Sequence, residues 1–480
     1  MKPKNVIMWA LLPVIVVLLM STSAQAKELT EVPASDILEK IQAGEDVLFD
    51  HVYVTGALDL SNIELEPVFI VRTGHQLFYG LKEELKPIES PITITNSVFE
   101  NDVNFQNAWF RNPINFRGTT FSCKTNFRGA IFDYYVLFND ARFDDDACFD
   151  RVTFGGSANF ENANFCADIG FKDALFKHDA DFFNTTVGGD AGFEFASFSD
   201  DAYFGNANFC DYVNFEVVSF TGRAHFGYTN FGSVADFTSV NFRDDASFMY
   251  TTFSDDAEFW HTHFSGNAYF NSVKFRGNAE FTSAEFDEVD FSNTAFSQFF
   301  LLHDADFKRI KVSWSSLKDL YSFDGPTYIK LIKNFREMEQ FEDADGAYYQ
   351  YRRVSQANKN WSLSKLGDVV AWLTCGYGVK PGYAAACAVV TTIIFTPIYW
   401  WRGGIRRTKE NDEVDEQDVS RWKALGDAFY FSVVTFTTIG SGDLYPADRY
   451  RKAAVVIEGL LGWLILALFI VTLANVMIRP

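Results

Sequence analysis

Seven consecutive residues, Thr437-Thr438-Ile439-Gly440-Ser441-Gly442-Asp443, carry the clearest chemical pattern in this chain. A cation stripped of water needs replacement oxygens, and a run of backbone carbonyls aimed at one axis supplies them. Most L-residues hold such a backbone poorly, but Gly440 and Gly442 tolerate positive φ. On this reading the carbonyls of Thr438, Ile439, Gly440 and Ser441 ligate the ion. Thr438 adds a hydroxyl at the deepest site, Ile439 faces backward and packs, and Asp443 ends the strand and concentrates cations. No other chemistry competes: the chain shows no nucleophile–base set, phosphate loop or metal-ligand cluster, so an enzyme has no support. The few histidines, such as His261 and His263, read as solvated corner residues, and no cofactor is expected beyond the ligated cations.

A string of this kind has meaning only if the flanking elements can hold it. Residues 382–401 are almost all apolar and long enough to span a bilayer, with Tyr399, Trp400 and Trp401 as an aromatic belt. Residues 453–478 form a second span, whose length suggests tilt. Glu458 lies in its first turns and is read mainly as an interfacial anchor that snorkels to water. Between the spans, residues 402–420 are polar and residues 425–434 are apolar but too short to cross, the form of a re-entrant helix. Its C-terminal dipole would favour a cation at the string.

From Ala424 to the C terminus, including Gly440-Ser441-Gly442-Asp443-Leu444-Tyr445-Pro446, the chain resembles the two-span potassium-channel pore family. The resemblance implies a homotetramer in a lipid membrane, conducting monovalent cations, potassium foremost, through a filter running from Thr438 to Asp443. It places Gly462 near the family's inner-helix gating hinge. Ser441 departs from the pattern, because the family carries Tyr or Phe there as a rigid cuff behind the filter. Potassium selectivity and weakly selective cation passage therefore stand as alternatives.

The chain also carries 52 phenylalanines, far above ordinary usage. From Phe99 to Phe286 they recur in alternating steps of five and six, an eleven-residue period with one substitution, Val187. Ala often stands two residues before the first Phe of a pair, as in Ala246-Ser247-Phe248. A short period held this long means a solenoid, in which stacked turns bury a continuous core. Four steps make a coil of about 22 residues, hence eight or nine coils over about 40 Å. The pattern resembles the Phe-centred variant of the pentapeptide-repeat family, which implies a right-handed quadrilateral β-helix and no chemistry of its own. The departure is the six-residue step, where the family's usual step is five. Cys166 and Cys210 then stand two coils apart, roughly 10 Å, too far for a disulfide.

The predicted organisation is multidomain. Residues 1–26 read as a signal peptide, with Lys2 and Lys4, an apolar run, and Ala24-Gln25-Ala26 before Lys27. Residues 27–90 read as a capping segment, 91–310 as the solenoid, 311–380 as a helical linker with an interfacial helix, and 381–480 as the all-α membrane module. Within the linker, residues 325–358 read as a two-helix hairpin broken at Ala344-Asp345-Gly346. Trp361 and Trp372 read as headgroup anchors.

A cleaved leader places the solenoid on the extracytoplasmic side, with the pore loop entering from the cytoplasm. Arg402, Arg406, Arg407, Lys409, Arg449, Arg451 and Lys452 around the connecting loop agree, since basic loops stay inside. An uncleaved first segment would instead form a third span, with the solenoid inside. The net charge of −22 argues against a nucleic-acid partner. The alternative to a channel is a membrane-anchored scaffold that binds through the solenoid and whose pore module does not conduct.

Overall fold

The computed structural model describes residues 29–70, 84–317, 324–407 and 421–477. The expected leader, residues 1–26, lies outside them, as does residues 408–420 of the polar linker. The chain divides into two compact units, residues 1–322 and 323–480.

The first unit is a β-solenoid of about 12 turns over residues 30–311. Its strands pair in parallel with partners 22 residues away, as in Phe121 with Phe99 and Thr125 with Val103. The next two sides repeat the offset, Trp109 with Ile131 and Ile114 with Val136. Four ladders per turn make a four-sided coil, so the alternating steps of five and six close one circuit. At ~4.8 Å per layer, about 12 turns extend roughly 55 Å.

The coil is longer than the phenylalanine pattern at both ends. Val47 pairs with Ile92, Tyr53 with Val98 and Leu58 with Val103, so residues 47–59 build a turn of the same ladders. A helix, α1 (Ala34–Ala43), buries Ala34, Ile37, Leu38 and Ile41 and stops at left-handed Gly44. At the other end the register shifts between Phe264 and Asn267, and later pairs are 21 residues apart, such as Phe286 with Phe307. The ladder thus continues past Phe296, where the sequence pattern fades. Parallel pairing needs backbone and an apolar filling, and Val289, Leu302 and Ile310 supply the latter.

Phenylalanine rings fill the interior in stacked columns. Phe226 and Phe248 are parallel with centroids 4.8 Å apart, and Phe226 meets Phe237 of the facing column edge-on at 5.5 Å. Offset stacking along the axis and T-shaped contacts across it suit the ring quadrupole. The alanines two residues before these rings, such as Ala224 and Ala246, are fully buried. A larger side chain there would compete for the volume the rings occupy.

Corners explain part of the acidic composition. Asp201, Asp245 and Asp256 each accept the backbone N–H of the residue 22 positions on, Arg223, Asn267 and Asn278. A carboxylate is a strong acceptor for an N–H that the strand ladder leaves over. The other corners turn through a left-handed residue two positions after a pivot Phe. Asn162, Asn184 and Asn206 suit that conformation, yet Phe195, Val217 and Tyr228 adopt it too. Packing imposes this backbone against local preference. All six cysteines are free.

The second unit is helical. Asp324 caps α2 (Gly325–Glu337), and α3 (Phe341–Asn358) returns beside it. The break falls at left-handed Glu339, not at Ala344-Asp345-Gly346, which lies inside α3. A Gly in a helix costs about 1 kcal/mol relative to Ala, and the burial of Ala344 and Ala347 outweighs it. Ser362 caps α4 (Leu363–Cys375), which ends at left-handed Gly376. Trp361 is exposed, but Trp372 is not a free anchor: its indole N–H donates to Tyr349 and Arg353 stacks on its face. Two long apolar helices follow, α5 (Pro381–Trp400) and α7 (Arg449–Met477), with α6 (Arg421–Phe436) between them in sequence. An open cleft of about 890 Å³ lies where the hairpin meets the far end of α7, lined by Tyr348, Tyr377 and Asn475.

Candidate functional site

Helices α5 and α7 are long and apolar enough to cross a membrane. They expose Val389, Ile393 and Ile394 on one, and Leu460, Trp463 and Ile470 on the other. Water would not tolerate so continuous an apolar surface, whereas lipid or a partner chain would. Helix α6 extends further at both ends than the 425–434 stretch, yet its 16 residues still fall short of a bilayer.

Three helices meet at two buried clusters. Tyr399 of α5, Ala428 and Phe431 of α6, and Leu444 beyond the string form one. Ala384, Phe436 and Ile465 form the other. Tyr399 therefore does not join an aromatic belt: it is fully buried, edge-on to Phe431 at 5.0 Å. Trp401 is exposed, as a belt residue would be. Glu458 also departs from the snorkelling expectation. It is fully buried and accepts from the hydroxyls of Tyr399, at 2.7 Å, and Ser432. An interior carboxyl persists only with such partners. The sequence singled out Tyr399 only as a belt aromatic and Ser432 not at all; the available signal was a Glu in an apolar run, four residues before Gly462.

The string Thr437–Asp443 starts directly from the last turn of α6. The N–H of Thr438 donates to Thr435 and that of Ile439 to Val434, at 3.1 and 3.2 Å. Thr438 and Gly440 are left-handed, with φ of 59° and 81°, whereas Gly442 is not. The conformation expected of Gly442 thus falls on Thr438, where a β-branched side chain makes it costly. Within the single chain Ile439 is 79% exposed and does not pack backward. Gly440, Gly442 and Asp443 are exposed as well. Ser441 donates its hydroxyl to the carbonyl of Leu444 at 2.9 Å, a local brace across the end of the string.

Beyond it, residues 444–446 pair antiparallel with Ile405–Arg407, the segment that follows α5. Arg451 ties the same corner, bonding Asp448 and the carbonyls of Ile398 and Trp401. Asp448 in turn accepts from the N–H groups of Tyr450 and Arg451 and caps α7. Arg451, read in sequence as a topology signal, holds the loop that follows the string.

Gly462 sits in an unbroken α7. A Cβ at Gly462 would lie 2.0 Å from the carbonyl oxygen of Phe436. The glycine lets the end of α6 rest on the backbone of α7, a packing reason that stands apart from any hinge. Among the described residues no group of three His, Cys, Asp or Glu side chains could hold a metal.

Residues 388–479 match the family described as ion channel. Residues 91–134, 138–186 and 259–309 match the family described as pentapeptide repeats (9 copies). No curated protein and no solved structure matches the chain. Neither matched family is one of enzymes. The chain joins a pentapeptide-repeat β-solenoid to a membrane ion-channel domain of the two-span type.

Proposed function

We propose that four copies of the chain form one cation pore, with Thr438, Ile439, Gly440 and Ser441 presenting backbone carbonyls to potassium ions. The observation that carries this reading is the irregular backbone of Thr438 to Gly442, exposed at every residue but Ser441 and set between two helices long and apolar enough to span a membrane. Irregular backbone at membrane depth persists only when it lines water or is covered by protein. A central axis shared by four chains meets both conditions, and Ile439 then packs against the neighbouring copy. Left-handed residues at alternate positions, Thr438 and Gly440, help turn successive peptide groups to one side. Helix α6 ends at the string and directs its negative dipole end toward the ions.

Ser441 supplies a hydroxyl brace to Leu444 in place of an aromatic cuff. We read the pore as potassium-conducting, held by that brace and by the strand pair at residues 405–407 and 444–446. Full-length protein in a planar bilayer, with high potassium and low sodium on one side and the reverse on the other, tests this. The expected reversal potential lies near the potassium equilibrium value. A reversal near zero identifies a weakly selective pore, and the absence of current removes conduction altogether.

The solenoid is proposed to be extracytoplasmic, supported by the leader-like residues 1–26 and the basic loop between the spans. The exposed stripe Leu363, Leu366, Val370 and Leu373 on α4 supports a helix lying in the membrane interface.

A further inference from the structure

Glu458 is one of the few buried ionisable groups in the second unit, and ion conduction as outlined does not use it. Its position relates three elements. Glu458 and Gly462 are one turn apart on α7, and they meet Ser432 and Phe436, one turn apart on α6. Tyr399 of α5 reaches the same carboxyl from the other side. Helix α6 is thus clamped at two successive turns, by a carboxyl–hydroxyl contact and by a backbone contact. Its last turn then supplies the carbonyls of Val434 and Thr435 to the N–H groups of Ile439 and Thr438. A displacement of α6 along α7 moves the base of the string by the same amount.

From this geometry we propose that Glu458 is the positioning residue of the filter: it fixes the depth and tilt of α6 through Ser432 and Tyr399, and thereby sets ion discrimination where Ser441 leaves no aromatic cuff. The inference rests on the conduction reading. Ion discrimination depends on the number and placement of the carbonyl ligands, and a Ser side chain bonded within its own turn holds little beyond that turn. The support must come from behind the helix, where Glu458 lies. A hydroxyl-accepting carboxyl acts there as a fixed point because it is fully buried, and a low-dielectric surrounding strengthens its bonds.

The test compares E458Q with E458L in the full-length protein, with tetramer retention on a native gel as control. Gln keeps an oxygen for the Tyr399 hydroxyl and can donate its amide to Ser432, whereas Leu keeps the volume and loses both bonds. E458L is expected to reduce the potassium-to-sodium permeability ratio at least about fivefold (~1 kcal/mol) and to shorten conducting bursts. E458Q is expected to restore the ratio to within about twofold. A wild-type ratio and burst length in E458L would overturn the proposal. Should E458L fail to assemble, S432A and Y399F decide: each is expected to lower the ratio, and unchanged ratios in both would overturn it. A wild-type tetramer that passes no current defeats the conduction reading instead, which separates the two failures.

Discussion

At the residue scale, two glycines do different work. Gly440 has φ of +81° and open space around its α carbon. Alanine there meets no atom but takes on a left-handed backbone, at about 1–2 kcal/mol. On the proposed reading, G440A is therefore expected to leave assembly of the four copies intact while abolishing potassium current, read by bilayer recording. Gly462 is the reverse case, with an ordinary helical backbone and no room. G462A is expected to force α6 from α7, destabilising the membrane domain by about 1–3 kcal/mol, read as a lower melting temperature in detergent. A variant as stable as the wild type would show that the Phe436 contact relaxes freely. The string around Gly440 was readable because two glycines alternate there between apolar runs. The left-handed state of Thr438 was not, since no property of threonine announces it.

At the element scale, the solenoid and the linker fail in different ways. Phe226 stacks on Phe204 and Phe248 and meets Phe215 and Phe237 edge-on. F226A removes a ring from the middle of a column, and a loss of about 3–5 kcal/mol is expected. Because each turn touches only its neighbours, the damage should localise, with faster amide exchange in the adjacent turns than at the ends. Uniform exchange along the coil would contradict a nearest-neighbour core. In the linker, Asp368 accepts from Lys359 at 2.5 Å and from Arg352 at 2.8 Å, joining α3 to α4. The Lys359 bond, ahead of the Arg352 bond and both positive charges, holds its carboxyl below the usual aspartate range. A lowered folded-state value means its contribution is complete above about pH 4 and falls away as acid protonates it below that. D368N is expected to lower the melting temperature at pH 7 and to narrow the gap from wild type toward pH 3. The 22-residue turn was legible in the sequence because one buried Phe marks each of its four sides. The hairpin break was not, because burial of Ala344 and Ala347 overrode the signal at Asp345-Gly346.

At the scale of the whole molecule, the two units were distinguishable from composition alone, one phenylalanine-periodic and acidic, the other apolar in long runs. Protease added to intact cells is expected to remove an epitope tag placed in a solenoid corner; a tag cut only after lysis would place the solenoid in the cytoplasm. The sequence by itself determined the solenoid period, the two helices long and apolar enough to span a membrane, and the position of the string proposed as the filter. Each of these is a repetition or a run of one residue class, and local chemistry dictates it. Only the tertiary structure decided what Tyr399, Ser432, Glu458 and Gly462 do, which strand braces the string, and how far the coil extends beyond its phenylalanines. Those relations depend on which surfaces meet across 26 or 59 residues of chain, as Glu458 meets Ser432 and Tyr399. A single buried carboxyl has no meaning until packing supplies its partners.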